Sequence, residues 1–170
     1  MHIKDNLDGN VGDKERNHMP RFLKKRVVLG SDHAGWALKE KLRTWLEQAG
    51  WLVCDLGCAG PERCDYPDFA AVVAQKVASG SCRAGILICG TGTGMSIAAN
   101  KHPGIRAAAC THEFLAVMAR RHNNANILCL GARIVGDELA LAIAQAFLRT
   151  EFEGGRHAGR VKKIRSAERR

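Results

Sequence analysis

The sequence predicts an α/β protein with three αβα layers: a five-stranded parallel, Rossmann-like sheet between helices, with an extra C-terminal helix. Three observations carry this reading. Short apolar, β-branched runs alternate five times with segments of 3.6-residue apolar spacing, the pattern of a parallel sheet covered on both faces. A chain of 170 residues, 46% hydrophobic and 25% charged, has the size and composition of one globular domain. Glycines and titratable residues also collect just after the strand-like runs, at the edge where such sheets bind ligands.

Residues 1–22 are polar and aperiodic, and are expected to be a disordered extension. A single domain is expected over 23–170. Strand-like runs fall at 27–29, 51–56, 85–89, 105–110 and 127–130. Leu38, Leu42, Trp45, Leu46 and Ala49 mark the first helix. Phe69, Val72, Val73 and Val77 mark the second, with Pro67 near its start, where a missing N–H costs little. Met95, Ile97 and Ala98 begin a third. Phe114, Leu115, Val117 and Met118 mark a fourth, expected from about Glu113 to Arg121. Leu139, Ile143, Ala144, Phe147 and Leu148 mark a fifth, with Asp137 expected as its N-cap. The tail from Arg156 to Arg170 reads as a last helix. Crossovers should be right-handed, but strand order is not encoded in any local pattern.

The net charge of +9 sits at the ends. Residues 1–26 carry seven Lys/Arg against four Asp/Glu, residues 153–170 seven against two, and the middle only +1. No nucleic-acid recognition motif accompanies the basic tail, so no nucleic-acid partner is expected. No apolar run reaches the ~18 residues of a membrane span, so no membrane partner is expected either. The first residues resemble neither a secretory signal nor a transit peptide. Seven scattered cysteines, with no C-x2-C pair and no His/Cys pair at zinc spacing, fit a reducing cytoplasm and suggest no metal set. Cys54, Cys89, Cys110 and Cys129 lie in apolar runs and read as buried small hydrophobes.

At the carboxyl edge, strand one is followed by Gly30, Ser31, Asp32 and His33. Strand three is followed by Gly90, Thr91, Gly92, Thr93 and Gly94. Strand four is followed by Thr111 and His112, and strand five by Gly131, Ala132 and Arg133. The G-T-G-T-G segment is neither G-x-G-x-x-G nor a Walker loop. It is either a tight turn or a set of backbone N–H groups open to an anion. Cys89, just before it, is either a buried strand residue or a thiolate, the reactive form of cysteine. Asp32 and His33 read as a cap and a surface histidine, or as ligand contacts. His122, beside Asn123, reads as a helix-dipole partner or a site residue. Arg156 and Arg160, four apart on one helix face, are either solvated or a phosphate clamp.

Together these residues resemble the ribose-5-phosphate isomerase B family, which includes galactose- and allose-6-phosphate isomerases. The similarity is carried by VVLGSDHAGWALKEKL, CDYPDFA, GILICGTGTGMSIAANK, GIRAA, RRHNNANILCLGAR and EGGRHAGRVKKI, in family order across about 25–168. The resemblance implies aldose–ketose isomerisation of a sugar phosphate, without metal or cofactor, by a single sugar-phosphate isomerase domain. It makes Cys89 the base that moves a proton between C2 and C1, and His122 the group that opens the furanose. It makes Thr91 and the amides of Gly90, Gly92, Thr93 and Gly94 the cradle for the enediolate. Asp32, His33, Tyr66, Asn123, Arg133, Arg156 and Arg160 become substrate contacts. One branch of the family lacks this cysteine and uses a glutamate in the glycine loop. Here Met95 holds that position, which points to the thiolate type. A single chain with the full set favours ribose 5-phosphate. The competing readings are a 6-phosphohexose isomerase and a non-catalytic phosphate-binding module.

Helix four should run antiparallel to the strands, leaving His122 and Asn123 at the amino edge, roughly 15 Å from Cys89 at 1.5 Å per helical residue. A homodimer with composite active sites, alone or as a dimer of dimers, is therefore expected.

Overall fold

The computed structural model describes residues 25–168. The expected extension at 1–22 lies outside the described residues, as do the last two residues of the C-terminal helix as expected. In chain order the elements are β1 (Arg26–Ser31), α1 (Trp36–Gln48), β2 (Leu52–Asp55), α2 (Tyr66–Ala78), β3 (Ala84–Cys89), α3 (Thr93–Ala99), β4 (Ala107–Ala109), α4 (Glu113–Asn123), β5 (Ile127–Gly131), α5 (Asp137–Arg149) and α6 (Arg156–Ala167). The strands form one parallel sheet in the order β2-β1-β3-β5-β4. The α/β class, the five parallel strands and the C-terminal helix agree with the sequence reading.

Alternate residues of the buried strands feed two cores. Val27, Leu29, Ile86, Ile88, Leu128 and Leu130 pack with Leu38 and Leu42 of α1, Ala116 of α4, and Ile143 and Phe147 of α5. Val28, Leu87, Ile127 and Cys129 pack with Ala70 and Val73 of α2 and Met95 of α3. Each fully buried branched aliphatic side chain contributes about 1.5–3 kcal/mol, so a sheet covered on both sides sets the positions of its strand ends firmly. Among the described residues no helix is long and apolar enough to cross a membrane.

Several local expectations are corrected. The strand expected over 105–110 shrinks to Ala107–Ala109, because Arg106 turns its guanidinium to the carbonyls of Asn123 and Asn124. Cys54 is only half-buried because β2 is an edge strand, while Cys58 and Cys82, outside the apolar runs, are buried. The N-cap of α5 is Gly136, not Asp137. Asp137 is the first helical residue and its carboxylate pairs with Lys41. Helix α4 runs to Asn123, so His122 and Asn123 belong to its last turn.

Lys39 is a residue whose place no pattern announces. It is 2% exposed, with its ammonium donating to Asp55 at 2.5 Å and to the Cys58 carbonyl at 3.1 Å, and lying 3.0 Å from Glu40. Burial opposes its charge, but the bonds to Asp55 and Glu40 outweigh that and raise its proton affinity. It thereby ties α1 to the loop that leads toward Tyr66.

Candidate active site

Strand β3 ends at Cys89, and the chain turns at once through Gly90 to Gly92, which adopts φ +78°. A Cβ at Gly92 would also meet the Leu130 carbonyl carbon at 3.0 Å, so this turn needs glycine twice over. The turn aims the Gly92 N–H at the Cys89 sulfur, 3.2 Å away. Cys89 is 5% exposed at the mouth of the sheet. Burial pushes the Cys110 thiol up to about 11 and also raises Cys64, Cys82 and Cys129, so these four are poor candidates for a base.

At the same edge of the sheet as this loop lie four of the expected groups. Asp32 follows β1, 6% exposed; one carboxylate oxygen accepts the Gly35 N–H at 3.0 Å and its own N–H donates to the Ile88 carbonyl. His33 is half-buried, with Nδ1 at 3.2–3.3 Å from the Cys64 backbone. Tyr66 starts α2 and lays its ring so close to Gly94 that a Cβ there would sit 2.8 Å from Cζ. The Arg133 guanidinium lies beside Gly90, and its backbone N–H donates to the Gly90 carbonyl. Thr91 and Thr93 are exposed, with the Thr91 hydroxyl accepting the Thr93 N–H at 3.4 Å. Met95 is fully buried in the core and offers no acid or base here. His112, which also follows a strand, is used as the N-cap of α4, accepting the Leu115 N–H.

His122, Asn123, Arg156 and Arg160 form a separate group. Asn123 precedes β5, and its carbonyl accepts from Arg106 at the start of β4, so this group lies at the amino edge. Gly131 pairs with Cys89 and Ile127 with Gly85, so four steps of β5 separate the two edges, about 13 Å at ~3.3 Å per residue. One chain does not bring His122 to its own Cys89. Gly154 and Gly155, at φ +70° and +52°, turn the chain back so that α6 starts beside His122. Among the described residues, no carboxylate pairs with Arg156 or Arg160. The His122 Nε2 lies 3.8 Å from a Glu153 carboxylate oxygen, and the His122 ring stacks on His157. The sequence reading missed Glu153 and His157. Their signal was present only as neighbours of Arg156 in EGGRHAGR. A cavity of about 480 Å³ lies between β4 and the end of α6, lined among others by Asn100, Asn123 and Ile164, and Cys89 does not line it.

The model of the family described as Ribose/Galactose Isomerase matches residues 27–164. The chain belongs to the ribose/galactose isomerase family. As a member of that family it is an aldose–ketose isomerase. It is 47% identical over 146 residues to ribose-5-phosphate isomerase B of Escherichia coli K12, covering 86% of this chain and 98% of that protein. The solved structure of the Clostridium thermocellum ribose-5-phosphate isomerase B superposes with a TM-score of 0.84 at 54% identity, covering 85% of this chain and 97% of that one. The Thermotoga maritima ribose 5-phosphate isomerase superposes at 0.82 with 50% identity, covering 83% and 97%. The fold, the length matched and the order of the motifs are thus those of the ribose/galactose isomerase family throughout.

Proposed function

We propose that the protein interconverts ribose 5-phosphate and ribulose 5-phosphate, with Cys89 as the base and with His122, Asn123, Arg156 and Arg160 supplied by a second copy of the chain. The observation that carries this reading is the Cys89 sulfur at the sheet's carboxyl edge, held by the Gly92 N–H beside the glycine-rich turn that opens α3. The substrate's relatives-based assignment rests on names given to proteins 47–54% identical over nearly their whole length.

The chemistry follows from the groups available. Ring opening breaks C1–O4, forms the C1 carbonyl and moves one proton from the O1 hydroxyl to O4. An imidazole both accepts and donates near neutrality, which suits His122. The Cys89 thiolate then takes the C2 proton, and the C–H electron pair forms the C1–C2 double bond while O1 becomes anionic. The amides of Gly90 to Gly94 and the Thr91 hydroxyl supply donors to that oxygen. The O2 proton passes to O1, the C2 carbonyl forms, and the Cys89 thiol returns its proton to C1. Arg156 and Arg160 hold the phosphate, so its binding energy fixes the reacting carbons against the base. Asp32, His33, Tyr66 and Arg133 line the cradle around the sugar hydroxyls.

The assay is the purified protein on ribose 5-phosphate, and on allose and galactose 6-phosphates, each with a chelator present. The expected result is turnover of the pentose phosphate, undiminished by the chelator. Turnover of a 6-phosphohexose alone would move the assignment to that branch, and binding without turnover would leave only a phosphate-binding module.

A further inference from the structure

His157 has no role in the chemistry above, yet it is the most unusual polar residue near it. It is 3% exposed, and its Nδ1 has no hydrogen-bond partner. A buried unpaired nitrogen is a cost that a leucine would avoid, so a flat ring at this place calls for a reason. Its ring lies parallel to that of His122, 5° between planes and 4.2 Å between centroids. Its place is fixed: the backbone N–H donates to the Gly154 carbonyl, and Nε2 accepts from Arg156 at 3.4 Å. Burial first, then the nearby His122 ring and the Arg156 guanidinium, lower its proton affinity and favour the neutral ring.

His122, Glu153 and His157 offer ligand atoms within 4.8 Å of one another, which raises the possibility of a metal centre. The stacking argues against it. Imidazole lone pairs lie in the ring plane, and an ion cannot lie in two parallel planes at the ~2.0–2.1 Å of a metal–nitrogen bond. Arg156 and Arg160 add positive charge on the same side.

We propose that His157 is a positioning residue for ring opening: its buried, immobile ring is the platform on which the His122 imidazole lies flat, edge outward to the furanose. This rests on the reading of His122 as the group that opens the ring. A neutral aromatic face also favours the imidazolium formed while the proton is in transit, where an aliphatic surface does not. The charged groups that act on His157 are Glu153 from the segment before α6 and Arg156 and Arg160 from α6. Because a displacement near 1 Å of a proton-transfer group costs on the order of 100-fold, a platform that removes such freedom has a measurable effect.

The test compares ribose 5-phosphate with 4-deoxyribose 5-phosphate, which lacks the hydroxyl that closes a furanose. His157→Ala should lower kcat/KM on ribose 5-phosphate about tenfold or more and leave the 4-deoxy sugar within about twofold, as should His122→Ala. His157→Phe, which keeps a flat ring, should recover most of the loss. In the His122→Ala background, adding His157→Ala should cost nothing further on ribose 5-phosphate. Equal losses on both sugars in His157→Ala, or full additivity in the double variant, would overturn the positioning role. If His122→Ala itself affects both sugars alike, the ring-opening reading fails and the inference falls with it.

Discussion

Replacing Gly94 by alanine is a sharp test of how the cradle is built. The new Cβ would lie 2.8 Å from Cζ and 2.9 Å from Cε2 of Tyr66, where ordinary contact begins at 3.4 Å. The ring must therefore retreat by about 0.6 Å or more, and, with Tyr66 lining the substrate as proposed, a shift of that order costs roughly ten- to a hundredfold in rate. Stability should hardly change. Tyr66 is 39% exposed and has room to swing, and Gly94 is helical, where alanine is favoured by up to ~1 kcal/mol. Gly35→Ala is the contrast: its Cβ would lie 2.4 Å from the Ile88 carbonyl oxygen and 2.8 Å from Ile88 Cγ2, in a buried backbone contact with nowhere to move. That variant should lose ~1–3 kcal/mol or more. The assay is thermal melting beside kcat/KM for ribose 5-phosphate. Gly94→Ala should melt within about 3 °C of the parent and lose at least ~tenfold in kcat/KM. Full activity would show that the Tyr66 ring need not lie where Gly94 admits it, and a melting temperature as low as that of Gly35→Ala would show that the ring cannot swing aside.

Cys89→Ser should lower kcat by ~10²–10⁴-fold with the melting curve unchanged, because a hydroxyl is too weak a base at neutral pH; retention of a tenth of the rate places the base elsewhere. Arg156→Ala and Arg160→Ala should each weaken binding of the phosphorylated sugar by about 1.5–3 kcal/mol and the pair by more, as read by calorimetry, whereas unchanged affinity in the double variant returns both to a solvated face. Since His157 is held below the ordinary imidazole value of ~6.5, the unfolded chain takes up its proton at a higher pH than the folded one, so stability from this group is complete above that value and is lost as pH falls through the lowered folded value. Melting temperature should fall as pH drops below about 6.5, and His157→Phe should flatten the slope; an identical slope in the variant would assign the loss to other groups.

Periodicity and the position of glycines made the layers, the five strands and the G-T-G-T-G turn legible, because each is written in local sequence. The outer position of β4 and the shortness of that strand were not, since the Arg106 guanidinium bonds the Asn123 carbonyl and the Arg106 N–H donates to Asn126 Oδ1, contacts no local pattern announces. Asp137 looked like a cap because aspartate suits that position; an extended Gly136 took it instead and left Asp137 for Lys41. The distance between Cys89 and His122 was readable from helix direction alone. The stacking of His157 on His122 was not, because it depends on two consecutive left-handed glycines turning α6 back across the amino edge.

In the proposed assembly, one active site needs Cys89 from one chain and His122 from another. This is tested by mixing inactive Cys89→Ser protein with inactive His122→Ala protein under conditions of subunit exchange, followed by mass spectrometry for hybrids and by assay on ribose 5-phosphate. A hybrid dimer carries one site with both residues intact, so activity should reappear at up to about a quarter of the parent value per chain for random pairing. Hybrids that form and remain inactive would show that Cys89 and His122 of different chains do not share a site.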